Sequence, residues 1–174
     1  MEISGYRPYR AVLKGVYNMG KRFPKQVACV YCSGGSRNIN CEFGCIGCGA
    51  CVEACRLKAI KLNDFGVAEV DTEKCVNCGL CMKACPKGII HSRIKDNYYV
   101  PLCSNHSIGK EARQQCQVSC IGCGICVRNC PCGAIQVTDN CAAINDDLCL
   151  TCGFCALNCP RKVIKDVTGL IQVK

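Results

Sequence analysis

The sequence predicts an α+β protein built of two tandem modules, each with short helices, β-hairpins and a core that ordinary side chains cannot fill. Three observations predict it. A C-x2-C-x2-C-x3-C run occurs four times, beginning at Cys45, Cys75, Cys120 and Cys149. From Val27 onward the chain repeats itself at an interval of 74 to 75 residues, and such self-similarity decides architecture before any local reading does. Apolar side chains are also scarce. Of 174 residues 49% count as hydrophobic, but 23 are cysteines, and roughly 36% remain as ordinary apolar residues, low for a globular domain. There is no tryptophan and only 6% aromatic residue.

The runs say what fills the gap. Three cysteines at two-residue gaps let one tight loop wrap a corner of an iron–sulfur cubane, while the fourth, a helical turn further on, points away. Sixteen of the 23 cysteines fall in these runs. Folding is expected to be coupled to cluster insertion. So high a cysteine content in a short chain otherwise signals a secreted disulfide scaffold, but thiolates committed to clusters need a reducing compartment. Cytoplasmic residence is expected, in a low-oxygen setting. The N-terminal stretch has no signal-peptide pattern, and nothing approaches eighteen uninterrupted apolar residues, so no transmembrane segment is expected. The formal charge of +9 suggests nucleic acid. However, an oxidised cubane with four thiolates carries about −2, so four of them bring the chain to about +1 and no nucleic-acid partner is expected.

Residues 1–26 precede every cysteine and form a basic extension, with Arg7, Arg10, Lys14, Lys21, Arg22 and Lys25 against Glu2. Val12, Leu13, Val16 and Tyr17 recur at helical spacing and predict a short amphipathic helix from Tyr9 to Met19, packed on the chain's own surface, on a partner subunit or against a membrane surface. The first module covers residues 27–100 and the second 101–174. Between its runs the first reads as a hairpin: Ala59 to Leu62, a turn at Asn63 to Gly66, then Val67 to Val70. The second repeats it through Ala134 to Val137, Thr138 to Asn140 and Cys141 to Ile144. Ile89-Ile90 and Val163-Ile164 start closing strands. Cys51 to Cys55 and its three equivalents are single helical turns, too brief to stand alone.

In every run the residue after the second cysteine is glycine, namely Gly49, Gly79, Gly124 and Gly153, and the residue after the first is apolar, namely Ile46, Val76, Ile121 and Leu150. The glycine lets the loop backbone approach a cluster and aim N–H groups at sulfur; the apolar residue keeps water off one face. With these features each module resembles a bacterial two-[4Fe–4S] ferredoxin, with C-x2-C-x2-C-x3-C-P at Cys75 to Pro86, Cys120 to Pro131 and Cys149 to Pro160. The first run has Arg56 where proline is usual, which is expected to alter the exit backbone and not the cluster. The resemblance implies cross-ligation. Cys45, Cys48, Cys51 and Cys85 would hold one cluster and Cys75, Cys78, Cys81 and Cys55 its partner; Cys120, Cys123, Cys126 and Cys159 would hold the third, and Cys149, Cys152, Cys155 and Cys130 the fourth. Four-thiolate zinc is the competing reading. Zinc ribbons, however, pair C-x2-C knuckles across a long spacer, unlike three cysteines in one loop.

Seven cysteines remain. Cys132 falls where the first module has Leu57, and Cys141 where it has Val67, so both read as small buried hydrophobes. At the repeat interval Cys29 matches Cys103 and Cys41 matches Cys116. These are a repeated thiol pair, a disulfide, or ligands to something further. Cys29, Cys32 and Cys41 offer three ligands for a fifth metal site, with no fourth evident from spacing and no counterpart of Cys32 in the second module. Cys41-x3-Cys45-x2-Cys48 also matches the spacing of radical-SAM enzymes, but Cys45 and Cys48 already belong to a run. His91 and His106, the only histidines, lie in no ligand pattern, and no G-x-G-x-x-G or P-loop occurs. The chain has no visible catalytic residues.

The V-A-C lead-in at Val27 to Cys29, the Cys41-x3-Cys45 and Cys116-x3-Cys120 extensions and the tandem modules together resemble the C-terminal polyferredoxin half of RnfB subunits of ion-translocating ferredoxin:NAD oxidoreductase complexes, over residues 27–174. The membrane helix and separate cysteine-rich domain that begin such subunits have no match, so a related soluble subunit is expected. The expectation is an electron-transfer subunit with four clusters, relaying low-potential electrons between a larger redox subunit and a soluble ferredoxin or second subunit. A free polyferredoxin is the alternative.

Overall fold

Each sheet in the structure is a pair of antiparallel strands, and each pair is drawn from one half of the chain. The computed structural model describes residues 25–34 and 41–167. The basic extension, all but its last two residues, and the helix expected from Tyr9 to Met19 lie outside the described residues. The first half contains β1 (Gln26–Val30), α1 (Ala50–Glu53), β2 (Ile60–Leu62), β3 (Ala68–Val70), α2 (Leu80–Ala84) and β4 (Ile90–Ile94). The second contains β5 (Tyr99–Pro101), α3 (Gly109–Gln115), α4 (Ile125–Arg128), β6 (Ile135–Thr138), β7 (Cys141–Ile144), α5 (Phe154–Leu157) and β8 (Ile164–Asp166). The pairs are β1 with β4, β2 with β3, β5 with β8, and β6 with β7. This is the mixed α+β architecture of small ferredoxin-like domains, as the sequence predicts.

Both expected hairpins form, by different turn chemistry. Asn63 turns the first: its Oδ1 accepts the backbone N–H of Phe65 at 3.0 Å and of Val67 at 3.1 Å. In the second, Asp139 and Asn140 both take positive φ, 47° and 61°, the two-residue geometry that matches strand twist and that Asn and Asp tolerate best. The four helical turns form too, each of four or five residues. The strands β1 and β5 and the helix α3 are additions to the sequence reading.

Strands β1 and β5 also correct the repeat alignment. Val30 pairs with Ile90 and Pro101 with Ile164; the next residues on, Tyr31 and Leu102, donate to the carbonyls of Ile89 and Val163. Ile89-Ile90 and Val163-Ile164 are repeat equivalents, each directly following a run. Cys32, two residues beyond Val30, is therefore the counterpart of Cys103, two beyond Pro101. Cys29 has none. A constant interval misleads here because the connection after the leading strand differs in length, C-x8-C from Cys32 to Cys41 and C-x12-C from Cys103 to Cys116. The longer one contains α3.

Each half has its own core, and cysteines are part of both. Val27, Val67, Ile60 and Ile90 pack with Cys51, Cys75 and Cys81 in the first; Tyr99, Ile135, Val163 and Ile164 pack with Cys120, Cys126, Cys141 and Cys155 in the second. Asp146 joins the halves. Its Oδ2 accepts the backbone N–H of Ile94 at 2.8 Å, and its carbonyl accepts Asn97 Nδ2 at 2.9 Å. Replacing Asp146 by Ala removes a charged acceptor from a part-buried N–H, a loss of about 1.5–3 kcal/mol. The D146A chain is expected to be cleaved faster between residues 95 and 100 in anaerobic limited proteolysis, and equal cleavage rates would refute this role.

Candidate metal centres

Each run builds its loop from the backbone up. The glycine after the second cysteine takes left-handed backbone, φ 77° at Gly49, 78° at Gly79, 68° at Gly124 and 79° at Gly153, and each caps the helical turn that carries the third cysteine. The position before the second cysteine is left-handed as well, and there the residue varies: Gly47 and Gly122, but Asn77 at φ 53° and Thr151 at φ 51°. A β-branched residue in that region is strained, so the loop, not the local preference of Thr151, dictates the conformation. Asn77 is anchored through its side chain, donating to Ser92 Oγ at 2.8 Å and Gln26 Oε1 at 3.1 Å across β1 and β4.

The exit from each run is also uniform. Lys58, Gly88, Gly133 and Lys162 donate to the carbonyls of Cys55, Cys85, Cys130 and Cys159, three residues back, and all four have positive φ. The turn after Cys55 thus has the same form as the three that contain proline. Arg56 does not alter the exit backbone, contrary to the sequence expectation.

Within each run the solvent gradient is the same. The second cysteine is exposed (Cys48, Cys78, Cys123, Cys152), the third is buried (Cys51, Cys81, Cys126, Cys155) and the fourth is half-buried. The fourth turns back from its own loop. Cys45, Cys48 and Cys51 share a cleft with Cys85, about 350 Å³ of open space counted to its mouth. Cys120, Cys123 and Cys126 share one of about 360 Å³ with Cys159. Cys75, Cys78 and Cys81 share a wider one, about 780 Å³, with Cys55. In the fourth group, burial first and then the charges of Cys149, Cys152 and Cys130 push the Cys155 thiol up to about 12. Cys126 is pushed up to about 11, by burial and then by Cys120 and Cys159 among others. In each group the fourth neighbour comes from the other run of the same half.

The donor set fits iron–sulfur clusters better than single ions. Four thiols at about 2.3 Å from one zinc would converge on a point. In three of the four groups the thiols instead line open space. Backbone N–H groups point at sulfur, from Ala59 to Cys55 and from Ala28 to Cys75 at 3.3 Å, and from Val163 to Cys159 at 3.4 Å. Such donors stabilise thiolate and tune potential. Ile46, Val76 and Ile121 line their clefts and remain partly in solvent.

The remaining cysteines divide. Cys141 is buried, as expected, but its thiol is a donor, to the Cys103 carbonyl at 3.2 Å. A hydrogen bond to Cys141 is also the first cause holding Cys120 down to about 5 and Cys103 down to about 7. Cys132 is not buried: it is half-exposed, its Sγ 3.6 Å from that of Cys130. It sits on the turn equivalent to that of the exposed Leu57, which the repeat alignment identified without its exposure. Cys29 lies beside Arg93. His91 stacks edge-on against Tyr31, and His106 against Phe43, with its Nδ1 3.0 Å from the Asp139 carbonyl; neither faces a cleft.

Comparison with known proteins agrees with this geometry. Residues 44–89 match the family model of the 4Fe–4S dicluster domain, and residues 120–134 and 146–162 match models of 4Fe–4S binding domains. The RnfB-type subunit of the Na(+)-translocating ferredoxin:NAD(+) oxidoreductase complex of Acetobacterium woodii is 42% identical over 115 residues, 66% of this chain and 34% of that protein. The corresponding subunit of the proton-translocating ferredoxin:NAD(+) oxidoreductase complex of Clostridium ljungdahlii is 43% identical over 108 residues, 62% of this chain and 38% of that protein. Its counterpart in the ion-translocating oxidoreductase complex of Methanosarcina acetivorans is 40% identical over 108 residues, 62% and 40%. The chain therefore carries 4Fe–4S domains of the ferredoxin type and is homologous to RnfB-type subunits over about two thirds of its length, while spanning only 34–40% of these relatives. Among the described residues no helix is long and apolar enough to cross a membrane.

The two loop glycines separate conformation from space. A Cβ on Gly47 would lie 2.7 Å from the Gly66 carbonyl oxygen, whereas one on Gly49 meets nothing within 4 Å. Gly49→Ala is therefore expected to cost only the left-handed penalty, about 1–2 kcal/mol. Gly47→Ala adds a clash with backbone and is expected to cost clearly more. Anaerobic thermal unfolding of the holoprotein reads this, and a G49A chain less stable than G47A would contradict it.

Proposed function

We propose that this chain is an electron-transfer subunit of an Rnf-type ferredoxin:NAD oxidoreductase complex, carrying four [4Fe–4S] clusters on two ferredoxin modules, residues 27–100 and 101–174, behind a basic extension of residues 1–26. The clusters accept and release one electron each, so the protein's own work is to hold them, space them and exclude water. The ligand sets are Cys45, Cys48, Cys51 and Cys85; Cys75, Cys78, Cys81 and Cys55; Cys120, Cys123, Cys126 and Cys159; and Cys149, Cys152, Cys155 and Cys130. One observation supports this most: the clefts unite three cysteines of one run with the fourth of the other. The relatives support the setting, since each is one component of an oxidoreductase complex.

Electrons pass at low potential between a larger redox subunit and a ferredoxin or second subunit, in the reducing cytoplasm that the thiolates require. The exposed second cysteine of each run puts one edge of every cluster near solvent and so near a partner.

The test separates the paired scheme from one in which each run serves only itself. In an anaerobic Cys55→Ser variant, EPR is expected to show an altered or three-iron cluster at the Cys75, Cys78, Cys81 site, with the Cys45, Cys48, Cys51 cluster unchanged. The reverse result sinks the paired ligand sets. Anaerobic isolation should recover the chain with a larger redox subunit; a stable monomer exchanging electrons rapidly with unrelated reductases would favour a free polyferredoxin.

A further inference from the structure

A further cleft lies outside all four ligand sets. It measures about 320 Å³ by the same count, close to the 350 and 360 Å³ of two ferredoxin clefts, and it too is lined by four cysteines: Cys32 and Cys41 from the first half, Cys103 and Cys116 from the second. We propose that these four cysteines bind a fifth [4Fe–4S] cluster, shared between the two halves. The inference rests on the ferredoxin reading above for the kind of cluster, and on the geometry of this cleft for its place.

The strand register makes the site two-fold. Cys32 and Cys103 are equivalent residues, each two beyond the last paired residue of its strand, and Cys41 and Cys116 each stand four residues before the first cysteine of a run. Each half thus contributes the same pair of thiols. The fourth ligand that spacing could not supply for Cys29, Cys32 and Cys41 comes from the other half, which supplies two, and Cys29 drops out.

Hydrogen-bond donors converge on these sulfurs. Cys103 Sγ accepts the backbone N–H of Cys120 at 3.3 Å and of Asn105 at 3.4 Å. Cys41 Sγ accepts Asn105 Nδ2 at 3.4 Å. Asn105 is 1% exposed and reaches across from the second half to a first-half cysteine, while its position is fixed by Gln115 at 2.8 Å. Cys32 lies close to the backbone N–H groups of Cys45 and Gly34. Cys41 in turn feels the charges of Cys103, Cys116 and Cys32, behind the burial that chiefly raises its pKa. Donors converging on sulfur are the arrangement already seen at Cys55, Cys75 and Cys159. A single zinc would draw the four sulfurs together, and here they surround space as the other clefts do.

The position has a consequence for the wire. Cys103 Sγ takes a hydrogen bond from the backbone of Cys120, and Cys32 lies close to the backbone of Cys45; Cys120 and Cys45 are the first ligands of one proposed cluster in each half. The fifth cluster would stand one peptide group from both, as the link between otherwise separate pairs.

The full chain, reconstituted anaerobically and assayed for iron, acid-labile sulfide and zinc, decides the matter. Five cubanes hold about 20 iron and 20 sulfide per chain. Wild type and Cys29→Ser are expected to reach about 20, and Cys32→Ser and Cys116→Ser, one from each half, to fall by about a fifth while the other clusters keep their EPR signals. About 16 of each in wild type, unchanged in both variants, would overturn the fifth site and leave the four-cluster reading intact. One zinc per chain, lost in Cys116→Ser, would also overturn it. Iron without matching sulfide in wild type would instead strike at the ferredoxin reading itself. Because the wild-type count is itself decisive, the test survives a variant that fails to fold.

Discussion

Everything in this chain follows from the direction of the fourth cysteine in each run. Three thiols lie on one loop and the helical turn after it carries the fourth away, so no run can close its own cleft. Two runs must therefore come together, each completing the other, and the hairpin between them is just long enough to reverse the chain and bring them face to face. The leading strand, β1 or β5, pairs with the strand that follows the second run and closes the unit. Among the described residues the helices and strands are all short, as expected where metal sites and not sheets set the spacing.

That constraint explains a core which ordinary bookkeeping would call inadequate. Burial of Val27, Val67, Ile60 and Ile90 in one half, and of Val163, Ile135 and Ile164 in the other, is modest for a chain of this length. The third cysteine of every run completes these cores, and without metal its neighbours would be desolvated thiols around a void. Burial pushes Cys155 and Cys126 far above the ordinary thiol range, so an empty site favours protonated sulfur and a filled one must displace those protons. Folding and metal binding are then expected to be coupled.

The runs, hairpins and helical turns were legible because each rests on a local rule: fixed cysteine spacing, alternation about a turn, a glycine where the backbone goes left-handed. Other features were hidden for equally physical reasons. Thr151, Lys58 and Lys162 hold left-handed backbone that no propensity assigns them, since the loop around the site imposes it. Cys132 reads as buried by alignment with Leu57, yet both sit on an exposed turn. The pairing of β1 with β4 spans most of a module, and a constant repeat interval cannot see that the connection after the leading strand has changed length. That one slip matched Cys103 to Cys29 instead of Cys32 and concealed the symmetric set of four thiols between the halves.

Exposure within the runs bears on how such a chain would work. Electron transfer weakens steeply with distance, so an electron enters or leaves where a cluster lies nearest the surface, and in all four runs that is the second cysteine. The third cysteine is buried in all four runs, and there desolvation would adjust the potential of a bound cluster. One loop thereby separates two tasks, contact and tuning, onto residues three apart. A mutation behind the third cysteine should act on potential, and one beside the second on partner access, because burial and exposure are fixed by the left-handed glycine that stands between them.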